Sequence, residues 1–524
     1  MGKRSSQNLF FLIKSLGKIE KRNFKVYAKY SAGENALLYL NLFDFIAKQD
    51  QAIESKETYE SIGIKANQIS NQKNYLYNQI IKSLQFFNAN ESPSIQIANL
   101  LFLIEFLYNK GLFKQCLKYL TKAKKLAQIH EKYLDLLKIL QWERDLIQQE
   151  PLSDKTQKKL SDISDAENKT LEFHKNMIVF QNLSHKFNNL LHNRGLSNKD
   201  SENILNSIEL SHPDQALSKR AKFFYFNIHA FYAYSKGNLE GTYEHFKNNV
   251  NLFRTTLESS EQNLISYIGV LNNFSSICST LKKYDELLES IQLLKDIFNI
   301  NGGKISEKIK ISVFTRAFGQ ELVYYNNTGQ INYVSSLLNK IEDGLNKYKG
   351  KIESRHEVMI NYHLFLHHFY KKNYLEAQKW INEVLYKTSS GKFEELYSIG
   401  LIMNIINQYE LDNIELLDNM INAAIKHFSN KKDEYNVVPI ILRFMRKIGA
   451  ESTMESTRKA AFIKVKEKIE ELLSSKKRVA LIRYFDIISW IESKIEKKDF
   501  ITIVHQKHLN LSRKTKKSKK QSLA

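Results

Sequence analysis

Four prolines and eighteen glycines are all that punctuate 524 residues. Proline in a helix interior costs roughly 3 kcal/mol and glycine about 1 relative to alanine. A chain that nearly excludes both from its apolar segments is built to be helical almost throughout. The prolines read as boundaries. Ser92-Pro93 offers an N-cap followed by proline at the first helical position. Pro151 breaks a long helical pattern that resumes after Ser153-Asp154, Ser211-His212-Pro213-Asp214 resembles a capping box, and Pro439 follows a polar stretch. Apolar residues recur at helical spacing, with no sustained period-two alternation and no Asn-Gly or Asp-Gly hairpin between apolar runs. The expected class is all-α.

Aligning the turns exposes a repeat. Lys110-Gly111-Leu112-Phe113 precedes Cys116, Leu120 and Ala123; Lys236-Gly237-Asn238-Leu239 precedes Thr242 and Phe246; Lys282-Lys283-Tyr284 precedes Leu287, Ile291 and Leu294. Thr328-Gly329-Gln330-Ile331, Lys372-Asn373-Tyr374 and Leu411-Asp412-Asn413-Ile414 follow the same pattern. Each has a small or polar reversal, a large apolar plug for the hairpin end, and further apolar positions on one helical face.

This unit resembles the second half of a tetratricopeptide repeat, most clearly in Tyr370-Lys371-Lys372-Asn373-Tyr374-Leu375-Glu376-Ala377. The resemblance covers roughly 95–130 and 220–430. The plug residues Leu239, Tyr284, Ile331, Tyr374 and Ile414 are 45, 47, 43 and 40 residues apart, against about 34 for the standard repeat. The small mid-helix residue of the first helix is replaced by Ile104, Leu322 and Phe365. The N-terminal run with Lys14-Ser15-Leu16, Tyr39-Leu40-Asn41-Leu42-Phe43-Asp44 and Tyr75-Leu76-Tyr77 also resembles uncharacterised bacterial helical-repeat proteins. Both resemblances imply an α-solenoid of antiparallel helix pairs, in which each repeat packs on its neighbours. The expected organisation is an N-terminal helical region at 1–92, helical hairpins including a long antiparallel pair at 93–212, tetratricopeptide-like repeats at 213–430, capping helices at 431–505 and a disordered basic tail at 506–524.

Hydrophobic residues (43%) and aromatics (12%) suffice for a continuous core. Cys116 and Cys278 fall singly on apolar stripes and read as small buried hydrophobes. The apolar run Leu9 to Ile13 is too short for a signal peptide, and no stretch is long enough to cross a membrane. The hexapeptide from Met1 to Ser6 fits only a loose acylation pattern. A cytoplasmic location without membrane insertion is expected. The net charge of +22 is interleaved with acids except from Lys507 onward, where seven basic residues face no acid.

No phosphate-binding, dinucleotide-binding or nucleophile motif occurs; Gly302-Gly303-Lys304 lacks the preceding glycine of a phosphate loop. His356, His363, His367 and His368 lie close together on one predicted helix, but Leu364 stands where a zincin helix needs glutamate. No enzyme activity, metal or cofactor is expected. The resemblance instead implies a protein–protein interaction scaffold, binding a peptide or protein of unknown identity on its concave face. Repeat register assigns Asn227, Phe231, Tyr234, Asn272, Asn326, Tyr362, Phe369 and Tyr370 to that face, and Leu364, Phe365 and Ala377 to the packing seams. A rival reading is a nucleic-acid-associated or regulatory protein. It would use a helix-turn-helix at 54–87, with Lys65, Lys73 and Lys82 toward phosphates, or tail contacts from Lys514, Lys516, Lys517, Lys519 and Lys520.

Overall fold

The structure is a computed structural model. It describes residues 2–31, 36–49, 51, 59, 63–65, 67–87, 92–151, 153–193, 199–254, 261–303, 305–331, 334–389, 391, 393–429, 437–450, 455–474 and 484–521. Among the described residues there are helices and turns but no strand. The chain divides into two compact units, residues 1–176 and 177–524.

In the first unit, α1 (Gly2–Ser15), α2 (Lys18–Ser31), α3 (Ala36–Lys48) and α4 (Ile69–Phe87) enclose one core built on Leu9, Ile13, Phe24, Leu42, Phe43, Leu76 and Ile80. A second core joins α5 (Pro93–Asn109), α6 (Phe113–Ile129), α7 (Tyr133–Ile147) and the first part of α8 (Asp154–Asn193). Ser92 caps α5 by accepting from the Ile95 N–H at 3.3 Å, with Pro93 at the start of the helix. Arg144 of α7 pairs with Glu167 of α8, and Tyr133 meets Phe173. That order of partners makes the two helices antiparallel.

The second unit continues through α9 (Lys199–Leu205), α10 (Lys219–Ser235), α11 (Leu239–Arg254), α12 (Glu261–Thr280), α13 (Tyr284–Asp296), α14 (Glu307–Thr328) and α15 (Ser335–Lys347). It closes with α16 (Ser354–Tyr370), α17 (Tyr374–Thr388), α18 (Glu394–Glu410), α19 (Ile414–Phe428), α20 (Val438–Ala450), α21 (Glu455–Ser474), α22 (Ile487–Glu496) and α23 (Phe500–Gln521). Consecutive helices pack against each other from α10 to α15 and again from α16 to α22, with α14 packing directly on α16. Pro213 begins a short 3₁₀ turn, and its cap is His212, whose Nδ1 accepts from Asp214, rather than Ser211.

The aligned turns share one backbone solution. Gly111, Glu131, Gly237, Lys282, Lys372 and Asp412 all have positive φ, between 50° and 78°. At each, the N–H of the next residue returns to a carbonyl five residues back, as in Asn238 to Ala233, Lys283 to Cys278, Asn373 to His368 and Asn413 to Gln408 at 2.8–3.0 Å. These are Schellman closures, in which the left-handed residue lets two orphan carbonyls find donors. Lysine, glutamate and aspartate take this conformation without glycine's freedom.

In the segment 506–524, expected to be disordered, α23 continues as helix through Gln521, and residues 522–524 lie outside the described residues. Lysine and glutamine propagate a helix well, and no proline or glycine follows Phe500. Its first half is anchored. Four successive hairpins meet the C-terminal segment in reverse order: Tyr284 packs on His508, the Thr328 carbonyl accepts from His505 Nδ1 at 3.0 Å, Lys372 pairs with Asp499, and Glu410 accepts from Trp490 and Lys494. Residues 490–508 thus run along a row of helix ends. Gly329, also left-handed, sits directly against this segment.

Candidate functional site

A cavity of about 640 Å³ opens in the second unit. Its walls come chiefly from α10, α12, α14 and α16, the first helices of four successive hairpins, with Asn188 of α8, Thr242 and Phe246 of α11, and Tyr484 at its margins. Phe231 and Tyr234 contribute from α10; Asn272, Asn273 and Ser276 from α12; Arg316, Gln320 and Val323 from α14; Arg355, His356, Met359 and His363 from α16. On each helix these residues recur three or four apart, so a single face of each looks into the cavity.

The lining is polar where the helices meet. Gln320 Nε2 bridges α14 to α12, donating to Asn272 Oδ1 at 3.3 Å and to Ser276 Oγ at 3.1 Å. Asn327, nearer the hairpin end, donates to Ser279 Oγ at 3.0 Å. Asn273 has no side-chain hydrogen bond among the described residues, which leaves a carboxamide with donor and acceptor both available. Burial pushes His356 and His363 down to about 4, the former helped by the nearby charge of Arg316, so both are neutral imidazoles at pH 7. Among the described residues His363 Nδ1 has no hydrogen-bond partner.

Of the eight residues assigned to the concave face, Phe231, Tyr234 and Asn272 line the cavity, and Tyr234 is 40% exposed. Asn227 lies outside the lining and donates back to the Phe223 carbonyl of its own helix at 3.1 Å. Asn326, Tyr362, Phe369 and Tyr370 are corrections: all four are buried. Asn326 ties α14 to α16 by donating to the His363 carbonyl at 3.0 Å. The three aromatics are covered by the C-terminal segment. Tyr362 Oη donates to the Tyr484 carbonyl at 3.1 Å, Phe369 meets Phe485 and Phe500, and Tyr370 stands edge-on to Phe500 with centroids 4.7 Å apart. Repeat register finds a helical face but not a segment more than a hundred residues away that occupies it. Leu364, Phe365 and Ala377, assigned to the seams, are fully buried.

The lining residues missed by register, including Arg316, Gln320 and Arg355, sit one to three turns N-terminal of the positions singled out on α14 and α16. Their i, i+4 spacing at 316 and 320 was the available signal.

Among the described residues no group of three or more metal-ligating side chains forms. His367 is fully buried with both ring nitrogens unpartnered, and burial pushes it down to about 3. Ser398 Oγ and His427 Nε2 lie 2.8 Å apart, yet Ser398 is fully buried, so no substrate reaches its hydroxyl. Both cysteines are buried, and burial pushes the Cys278 thiol up to about 12.

The 54–87 region gives little to a helix-turn-helix reading. Residues 52–58, 60–62 and 66 lie outside the described residues. Lys73, expected to meet phosphates, is buried with its ammonium 4.2 Å above the Tyr59 ring. Leu76 and Ile80 are core. In the tail, the side chains of Lys514, Lys516, Lys517, Lys519 and Lys520 lie outside the description. No helix among the described residues is long and apolar enough to cross a membrane.

No protein-family model matches this chain, and no curated protein sequence matches it either.

Proposed function

We propose that residues 213–430 form a tetratricopeptide-like solenoid and that the cavity between its first helices holds an extended segment of a protein partner. The observation that carries this reading is the composition of the cavity wall: three helices from successive hairpins present Tyr234, Phe231, Asn272, Asn273 and Gln320 to one space of about 640 Å³. An extended chain has a carbonyl and an N–H at every residue, and carboxamides satisfy both. Tyrosine and phenylalanine supply rigid apolar area at low entropic cost.

The same wall supports a binding module rather than an enzyme. Its hydroxyls are spoken for: Ser276 donates to the Asn272 carbonyl and Thr315 to the Ile311 carbonyl, each 2.9–3.0 Å away. Among the described residues neither hydroxyl is hydrogen-bonded to a histidine or carboxylate that could take its proton.

The test is a selection of random peptides against the full chain, followed by affinity measurement on variants. Tyr234→Ala and Asn273→Ala are expected to weaken the selected peptides while leaving thermal melting unchanged. Peptides that bind equally well to both variants place the binding surface elsewhere.

A further inference from the structure

The charges on the cavity wall do not balance. Two guanidiniums, Arg316 and Arg355, line it against a single carboxylate, Glu353. The remaining titratable lining groups are His356, His363, Tyr234 and Tyr484.

Arg316 is the unusual member. It is half-buried on α14, and among the described residues its hydrogen bonds go only to Ser312 one turn away: Nη1 donates to Oγ at 2.8 Å and to the carbonyl at 3.3 Å. Among the described residues no carboxylate lies within ion-pair distance of it. Glu353, the nearest acid in charge, is turned toward His356, with Oε2 3.4 Å from Nε2, and is 70% exposed. Arg355 has neither an ion pair nor a side-chain hydrogen bond among the described residues. Both arginines line the cavity together with His356, and the charges of both push its pKa down.

A guanidinium carries five donors in a planar fork shaped for a carboxylate. Leaving it partly buried with two neutral acceptors wastes most of that capacity and carries a desolvation cost. The wall is complete in apolar and amide groups but short of one anion. We infer that the segment bound in this cavity carries an internal aspartate or glutamate whose carboxylate is gripped by Arg316, with Arg355 as the outer contact. A carboxylate supplies one negative charge, matching the one uncompensated positive charge of the wall. A doubly charged phosphate would overshoot it beside Glu353. This inference rests on the peptide-binding reading above and gives it a chemical class.

The experiment uses random peptides of about ten residues, which span roughly 30 Å when extended, all N-acetylated and C-amidated so that side chains are their only acids. They are selected on the full chain at low salt. The expected winners share one acidic position. Changing that residue to its amide, or making Arg316→Gln in the protein, should each weaken binding about tenfold or more, the scale of a charge-assisted hydrogen bond. Combining the two should cost little beyond either alone. Arg355→Gln, at an exposed position where folding is not at stake, should give a smaller loss that shrinks at high salt. Arg316→Lys should recover only part of the affinity, because the fork is lost.

Winners without a shared acid, or with an acid whose amide binds equally well to a protein still sensitive to Tyr234→Ala, overturn the inference and leave the peptide-binding reading standing. Winners insensitive to Tyr234→Ala, or none at all, overturn both. If Arg316→Gln fails to fold, the peptide's acid-to-amide change and Arg355→Gln decide the matter between them.

Discussion

Gly329 and His505 meet backbone to backbone. A Cβ on Gly329 would lie 2.9 Å from the His505 nitrogen and 3.0 Å from its Cα, and Gly329 itself is left-handed at φ 72°. The glycine that ends α14 therefore serves both the turn and the approach of a helix 176 residues later, and the Thr328 carbonyl 3.0 Å from His505 Nδ1 fastens the same spot. Gly329→Ala should destabilise the protein by about 2–3 kcal/mol, combining left-handed strain with a clash that neither backbone can relieve. Thermal melting would show the loss, and amide exchange in residues 500–511 should rise. An unchanged melt would mean that α23 is not seated on this turn.

The same seating makes residues 484–504 part of the core around α16. Tyr362→Ala and Phe369→Ala should each cost about 3–5 kcal/mol, since both aromatics are enclosed by the C-terminal segment. Denaturant unfolding checks this. Tyr234→Ala, at an exposed position, should change stability by less than about 0.5 kcal/mol. A stable Tyr362→Ala protein would show that the covering segment is dispensable.

The hairpin turns were legible in the sequence because glycine announces a left-handed residue at 111, 237 and 329. At 282, 372 and 412 the same turn is made by lysine or aspartate, and only the apolar plug that follows gave it away. Those positions offer a stabilising change. Lys372→Gly is complicated by its ion pair with Asp499, but Lys282→Gly and Asp412→Gly should each raise stability by about 0.5–1 kcal/mol, the strain relieved less the entropy glycine adds to the unfolded chain. Chemical denaturation of the double variant should show the sum, because the turns are well separated in the chain. A lower midpoint would mean that the side chains at these turns contribute more than their backbone strain costs.

What stayed illegible was the pairing of distant segments. Tyr362, Phe369 and Tyr370 do share the helical face that repeat register assigned them, but Tyr484, Phe485 and Phe500 lie on it. Helical periodicity records that a face is apolar and not what covers it. Phe500, Ile503 and Val504, at the end of the expected capping region, are buried and start the helix that runs on into the lysine-rich end.

Buried histidines make the fold sensitive to acid. Burial lowers His363 to about 4 and His367 to about 3, from an ordinary value of 6.5. Between these values and 6.5 the unfolded chain binds protons that the folded chain refuses, so stability is full above about pH 6.5 and falls as pH drops. Each group contributes a slope of at most about 1.4 kcal/mol per pH unit in that window. His367→Leu removes one titration and two unsatisfied nitrogens. It should leave neutral-pH stability equal or higher and flatten the loss between pH 6 and 4, as measured by unfolding at stepped pH. Parallel pH profiles for the two proteins would show that His367 is not titrating on unfolding.

Amide hydrogen exchange of the full chain, free and saturated with a selected peptide, tests the central claim most directly. If the cavity holds an extended segment, protection should appear on binding in the parts of α10, α12, α14 and α16 that line it, within residues 231–234, 269–280, 315–323 and 355–363. Helices α1 to α7 should be unaffected. Protection confined to α1 to α7, or to the far ends of α16 and α18, would contradict the account and move the binding surface out of this cavity.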